Sequence, residues 1–258
     1  MPGTHQSVVS IPFALRATVL RHLYVIQKMK YKAMFLDFYG TCVAEDDAVI
    51  ERIIAEIAKD SAAPSEKILH SWKFSEACAE AHGPQFRTQK EIELSTLQSV
   101  LDKFGVNLDV WEISKGLFEY WSTPEVYPDT LDFLRSQDVP IIIVSNIDNS
   151  FFESALQQIP FDFSDVVTSE DVRAYKPRSE PFKQALERNS LRPEEVIHIG
   201  DSYSSDVAGA VQCGIDAIWV NRRNRTKKNG LMKLQVSTLS EIRWDNKTVA
   251  TTPASAPR

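Results

Sequence analysis

The chain has 258 residues, 43 % of them hydrophobic and 25 % charged, with a formal net charge of −6. That length supports one large or two modest domains around a real hydrophobic core, and the acidic balance argues against a nucleic-acid surface. Three cysteines (Cys42, Cys78, Cys213) in neither metal nor disulfide spacing read as free thiols of a reducing compartment, and no run reaches the roughly 18 apolar residues of a membrane span.

Residues 1–36 hold no Asp or Glu but carry Arg16, Arg21, Lys28, Lys30 and Lys32. Residues 1–30 are read as a flexible basic leader ahead of the fold, with Met29 as the functional start. The alternative is an organelle transit segment, so the location is expected to be cytoplasmic, or organellar if the leader is a targeting signal. The first strand, "AMFLDF" (33–38), reaches an acid, Asp37, and Gly40 and Thr41 close the turn behind it. Residues 46–122 then read as almost wholly helical. "DDAVIERIIAEIAKDS" and "IELSTLQSVLDKFG" place apolar residues at three- and four-residue steps, the second ending on a Gly C-cap. An insert of that length is not a loop, and it is expected to form a helical cap over the strand ends.

Beyond it, short Val/Ile-rich runs at 140–146, 165–171, 195–201 and 217–222 alternate with helical stretches at 127–137, 149–159, 179–189 and 204–214. The runs lack in–out alternation, as strands buried on both faces do. The fold class expected is α/β: a doubly wound parallel sheet, Rossmann-like, built from 31–45 and 123–240 and interrupted by the cap at 46–122. Residues 245–258, small, polar and Pro-containing, read as a disordered tail.

Asp37, Ser145–Asn146 and Asp201 fall at the carboxyl ends of predicted strands, where ligands of such sheets bind. Lys176 before Pro177, and Asp206 in "GDSYSSD", join them in one crevice. A carboxylate nucleophile facing an anionic substrate needs a cation, donors for the transferred group and further carboxylates to hold a metal. All of these are present. The plainer alternatives are Asp37 as a turn cap, Ser145 and Asn146 as helix caps and Lys176 as a loop residue.

With "DFYGT", "VSN", "YKP" and "GDSYSSD" in that order, the chain resembles the haloacid dehalogenase superfamily of aspartyl-nucleophile hydrolases over roughly residues 33–222. The resemblance implies Asp37 as nucleophile, with Tyr39 and Thr41 beside it in the catalytic set. Ser145 and Asn146 are then donors to the transferred group, and Lys176 the charge stabiliser. It also implies Mg²⁺ held by Asp37, the backbone carbonyl of Tyr39 and Asp201, with Asp206 a further ligand or an anchor. The substrate is expected to be a small anionic molecule, without nucleic-acid or membrane partners, and the protein a monomer or homodimer.

Tyr39 departs from the phosphatases of that family, which carry a second Asp there as general acid. Tyr at this place resembles the L-2-haloacid dehalogenase branch, which needs no metal. That branch also holds halide with a cap Arg, where "HSWKFSEACAE" offers Lys73. It carries a Tyr where Phe182 stands and a neutral residue where Asp201 stands. Three mismatches against one match favour a Mg²⁺-dependent phosphohydrolase whose substrates have good leaving groups, with dehalogenation as the alternative and a non-catalytic binding module third. Lys73 is also a candidate Schiff-base lysine of the phosphonoacetaldehyde hydrolase kind, or a plain surface residue. His198 reads as a core histidine, "NRRNRTKK" (221–228) as a solvated loop, and Trp111, Phe118, Tyr120 and Trp121 as cap packing.

Overall fold

A computed structural model of the chain describes residues 24–27, 31–226 and 230–245. Its strands are β1 (Tyr24–Gln27), β2 (Ala33–Leu36), β3 (Ile141–Ser145), β4 (Asp165–Thr168), β5 (Val196–Gly200), β6 (Asp216–Val220), β7 (Leu234–Val236) and β8 (Ile242–Asp245). Six form one parallel sheet in the order β4-β3-β2-β5-β6-β7. The chain winds outward from β2 to β4 and returns on the other side at β5, so the carboxyl ends of β2 and β5 flank the switch point where such sheets open a crevice. The doubly wound parallel fold expected from the sequence is the fold observed.

Every residue of β2, β3 and β5 is buried. Their side chains divide by period two between the faces: Met34, Leu36, Ile141, Ile143, Ile197 and Ile199 on one, Ala33, Phe35, Ile142, Val144 and Val196 on the other. The first face is continuous with the core of the helical insert through Phe38, Phe151 and Phe152. The insert comprises α1 (Asp47–Ser61), α2 (Ser65–Ser71), α3 (Phe74–Glu80), α4 (Gln89–Phe104) and α5 (Val110–Ser122). In α1 the buried stripe is Val49, Ile53, Ile54 and Ile57, the spacing that puts one helix face inward. In α4 a Thr88–Glu91 capping box starts the helix and Gly105 ends it. Phe118 stacks on Phe151 at 5.7 Å and Trp121 meets it edge-on at 5.4 Å, so aromatic pairs join α5 to the sheet layer. Among the described residues no helix is long and apolar enough to cross a membrane.

The sheet is flanked by α6 (Thr130–Arg135), α7 (Asn149–Leu156), α8 (Ser169–Val172), α9 (Ser179–Arg188) and α10 (Gly209–Gln212). Three features differ from the sequence expectation. The run 165–171 is strand only to Thr168, whose hydroxyl accepts the Asp171 N–H at 3.1 Å and turns the chain into α8. The stretch 204–214 begins as a π-helical turn, Tyr203–Ala208, before α10. Part of the leader is in the fold, since β1 pairs in parallel with β8, and β7, only three residues long, extends the main sheet. The rest of the leader, and the tail beyond Asp245, lie outside the described residues.

Glu93 sits inside the insert, 3 % exposed, with Oε1 unpartnered. Burial, reinforced by Asp46, pushes its carboxyl up to about 8. Between the ordinary carboxyl range and that value the folded state keeps a proton that the unfolded state releases, so Glu93 makes stability fall as pH rises. Glu93→Gln is therefore expected to raise Tm by at least about 2 °C at pH 8 and by less at pH 5. Thermal melts across that range check this, and an unchanged pH slope would refute it.

Candidate active site

Asp37 follows the last residue of β2, and its N–H continues the ladder by donating to the Ile199 carbonyl at 2.9 Å. Ser145 ends β3, Asp201 follows β5, and Lys176 comes from the loop between α8 and α9. The parallel register thus brings residues from four distant stretches to one crevice. They line a cavity of about 160 Å³, to which the insert contributes Asp46, Gln89 and Trp121.

Lys176 is the centre of the site. It is 4 % exposed, and its Nζ donates to Asp37 Oδ1 at 2.7 Å, Asp206 Oδ1 at 2.6 Å and the Val144 carbonyl at 2.7 Å. Three ammonium hydrogens meet three acceptors, which is what lets a buried cation persist. Burial opposes its charge, but Asp206 and Asp37 outweigh that and push it up to about 12. Asp37 also accepts from Thr41 Oγ1 at 3.0 Å through Oδ2. Burial and the Asp206 charge nevertheless push Asp37 up to about 6.

Asp206 reaches this network because the π-helical turn folds it back toward β5. A Cβ on Gly200 would lie 2.3 Å from its Cγ, so only glycine permits the approach. Besides Lys176, Asp206 Oδ1 meets His198 Nε2 at 3.0 Å, and Oδ2 accepts the Ser202 N–H at 2.9 Å. Burial alone would raise its carboxyl, but Lys176 and His198 hold it well below the usual range. With both oxygens engaged, Asp206 holds Lys176 in place. His198 is the buried core histidine expected, edge-on to Phe182 at 5.1 Å, and burial lowers its basicity.

Among the described residues the Asp201 carboxylate has no hydrogen-bond partner of this kind, and Arg225 only partly offsets its surroundings. Burial, then Glu45, Asp37 and Asp206, push it up to about 9, and burial with Asp46 pushes Glu45 up to about 7. Gly40, at φ +80°, makes this crowding possible: a Cβ there would lie 2.6 Å from both Asp201 Oδ1 and Glu45 Oε1. One oxygen from each of Asp37, Asp201 and Asp206 lies within 4.8 Å of the others. Among the described residues, the cavity wall sets one cation, Lys176, against Asp37, Glu45, Asp46, Asp201 and Asp206. An all-oxygen donor set with excess negative charge fits a hard divalent ion such as Mg²⁺.

Other expected residues are placed differently from the sequence reading. The Tyr39 hydroxyl donates to the Trp121 carbonyl on α5, and burial raises its pKa far above the ordinary phenol value, so it ties insert to core. The Asn146 amide is spent on the Lys176 backbone, accepting from its N–H at 2.7 Å and donating to its carbonyl at 3.1 Å. Lys73 is exposed, paired with Glu76 at 3.2 Å, and lines neither cavity beside the site. Ser145 is 1 % exposed and lines the cavity, and among the described residues its Oγ has no partner. Of the loop read as solvated, Arg222 donates to the Thr41 carbonyl at 2.8 Å and stacks over Tyr127 at 3.9 Å, bracing the turn after Asp37. Trp121 packs as expected but also lines the cavity, donating to Asp46 Oδ2 at 2.7 Å.

Sequence reasoning missed Glu45, Asp46 and Gln89. The acidic run behind the "DFYGT" turn was a visible signal for the first two, whereas nothing in the sequence singles out Gln89.

A family model described as haloacid dehalogenase-like hydrolase matches residues 31–214. The chain is 31 % identical over 122 residues to a glyceraldehyde 3-phosphate phosphatase of Methanothermobacter thermautotrophicus, covering 44 % of this chain and 54 % of that protein, about half its length. It is 23 % identical over 221 residues to (S)-2-haloacid dehalogenase 1 of a Pseudomonas species, covering 82 % of this chain and 94 % of that one. Among solved structures, the L-2-haloacid dehalogenase of Xanthobacter autotrophicus superposes with a TM-score of 0.65 at 17 % identity, over 82 % of this chain and 96 % of that one. A magnesium-bound hydrolase of Bacillus subtilis does so with a TM-score of 0.65 at 20 % identity, over the same shares.

Removing the Lys176 charge leaves two buried carboxylates facing each other. Lys176→Met is expected to cost about 3–5 kcal/mol of stability, and adding Asp206→Asn to recover part of it. Urea unfolding checks this. A loss below about 1 kcal/mol, or no recovery, would contradict the network as described.

Proposed function

The chain belongs to the haloacid dehalogenase-like hydrolases, and within that family we propose that it is a Mg²⁺-dependent phosphohydrolase of a small phosphorylated metabolite, with Asp37 as nucleophile. The observation that carries this reading is Asp201, an unpaired carboxylate kept beside Asp37 where burial and neighbouring acids oppose its ionisation. Among the described residues the site sets five acids against one fully engaged lysine, so these acids ionise together beside a phosphate monoester only if a cation is added. Asp37, Asp201 and the backbone carbonyl of Tyr39 would hold Mg²⁺. Bound there, the ion offsets charge between the nucleophile and the transferred group.

The chain's own residues then take the following parts. Lys176 holds Asp37 ionised and fixed by its Oδ1, and Thr41 fixes Oδ2. Asp37 attacks phosphorus, the leaving group departs with the electron pair of the broken P–O bond, and an aspartyl phosphate remains. Water hydrolyses that acyl phosphate and restores Asp37. Ser145 Oγ, buried and unpartnered, donates to an oxygen of the transferred group. The helical insert acts as a cap, with Tyr39 bonded to it rather than free to protonate the leaving group. Substrates whose leaving groups need no protonation are therefore favoured.

Tyr39 and the near full-length likeness to a haloacid dehalogenase support carbon–halogen hydrolysis as the second reading. It is the weaker one, because no cation of the insert lines the cavity to hold halide, and Glu45 and Asp46 oppose an anionic haloacid.

A release panel decides between them. Phenyl phosphate is expected to yield phosphate only with Mg²⁺, faster than an alkyl phosphate, and Asp37→Asn to abolish it. Halide from 2-chloropropionate in the presence of chelator would establish the second reading instead. Ser145→Ala is expected to leave stability within about 0.5 kcal/mol, since the hydroxyl has no partner to lose, yet to lower kcat/KM about 10²-fold. Kinetics beside thermal melts check this, and full activity would remove Ser145 from the mechanism.

A further inference from the structure

The catalytic cavity opens beside a second one of about 310 Å³, and the two share Gln89, Asn146, Lys176, Ser202 and Ser205. A leaving group attached to phosphorus near Asp37 has this second space to occupy. Its lining is neutral: hydroxyls of Ser75, Ser202, Ser204 and Ser205, the Asn146 amide, and apolar surface from Phe74 and Tyr175. Among the described residues Lys176 is its one charged residue, and all three of that ammonium's hydrogens are committed. Among the described residues no free counter-charge is left there for a second anionic group, and desolvating an anion without one is costly.

At the boundary stands Gln89, the first residue of α4. Its backbone is fixed by the core, because the buried Asp148 carboxylate accepts the N–H groups of Gln89 at 2.6 Å and Lys90 at 2.9 Å. Gln89 lines both cavities, and among the described residues its buried Oε1 has no hydrogen-bond partner. A buried amide oxygen left unpaired costs stability unless something bound supplies the donor. The unmatched group is an acceptor, so what it selects is a donor.

Resting on the phosphohydrolase reading, we propose that Gln89 is the specificity-determining residue of the insert. Its Oε1 accepts a hydrogen bond from a hydroxyl or amino group on the leaving-group side of an otherwise uncharged phosphomonoester, and the neutral pocket around it rejects leaving groups that carry a second negative charge. The substrate class assigned is thus the monophosphate of an uncharged, hydroxyl- or amino-bearing alcohol or phenol, rather than a bisphosphate or a phosphorylated acid.

Three aryl phosphates with similar leaving groups test this: phenyl, 3-(hydroxymethyl)phenyl and 3-carboxyphenyl phosphate, each with wild type, Gln89→Leu and Gln89→Lys. Asp148 contacts only the backbone at position 89, so both variants keep the docking of α4, and thermal melts verify it. Wild type is expected to prefer the hydroxymethyl over the phenyl substrate in kcat/KM by about tenfold, the size of one hydrogen bond, and to disfavour the carboxyl substrate. Gln89→Leu should collapse the hydroxymethyl preference to within about twofold, mainly through KM, and Gln89→Lys should raise the carboxyl substrate relative to phenyl by about tenfold or more. Phenyl phosphate turned over with these ratios unchanged by either variant, or a wild type that prefers the carboxyl substrate, would overturn the role of Gln89 and leave the phosphohydrolase reading standing. Release of no phosphate from any of the three by wild type would overturn that reading and this proposal with it.

Discussion

The structure is organised around one buried ammonium. Lys176 joins the ends of β2 and β3 and the π-helical turn behind β5, through Asp37, the Val144 carbonyl and Asp206. Burying a charge is tolerable only when every hydrogen-bonding position is met, so the three elements must arrive together. Much of the local backbone follows from that demand. Gly200 admits Asp206 at a distance no side chain would allow, and Asn146 clamps the Lys176 backbone. The same arrangement fixes the electrostatics of the cavity. The lysine's capacity is exhausted by two of the acids and the Val144 carbonyl, which leaves Asp201 and Glu45 with raised affinities for protons and for any other cation.

The helical insert is tied to the core at the points that border the site. Tyr39 bonds to the Trp121 carbonyl, Asp148 caps the first turn of α4, and Trp121 and Phe118 pack on Phe151. The residue that departs most clearly from the phosphatase pattern is thus a strut between the two parts. Placing Tyr39 there removes a carboxyl acid from the leaving-group side and adds a contact that holds the insert down. Under the proposed phosphohydrolase reading, chemistry and closure meet at this one position, and the choice of leaving group is the consequence.

The sheet was legible in the sequence because buried parallel strands leave an unmistakable mark, continuous Val/Ile runs ending in polar residues, as at Asp37, Ser145 and Asp201. What escaped was set by contacts that no short window contains. Thr168 ends β4 through its own hydroxyl, and β7 is too short to carry a pattern. The pairing of β1 with β8 joins residues some two hundred positions apart in the chain. At the site, Asp37, Lys176, Asp201 and Asp206 come together as the motif order implied, whereas Asn146 and Tyr39 occupy the right places with their polar groups turned to other partners. Lys73, at the N-terminal cap of α3, is exposed and paired with Glu76 rather than turned to either cavity. Gln89 was invisible for the opposite reason: its importance lies in a partner its carbonyl lacks, and only coordinates reveal a missing hydrogen bond.

The central claim is that Asp37 becomes covalently phosphorylated in a cation-dependent reaction. Acid quenching during turnover of a phosphate monoester, followed by peptide mass spectrometry, reads this directly. The account predicts a phosphate adduct on the peptide containing Asp37, formed with Mg²⁺, absent with chelator and labile to hydroxylamine as an acyl phosphate is. An unmodified Asp37 under turnover, or an ester formed there from a 2-haloacid without metal, would contradict it.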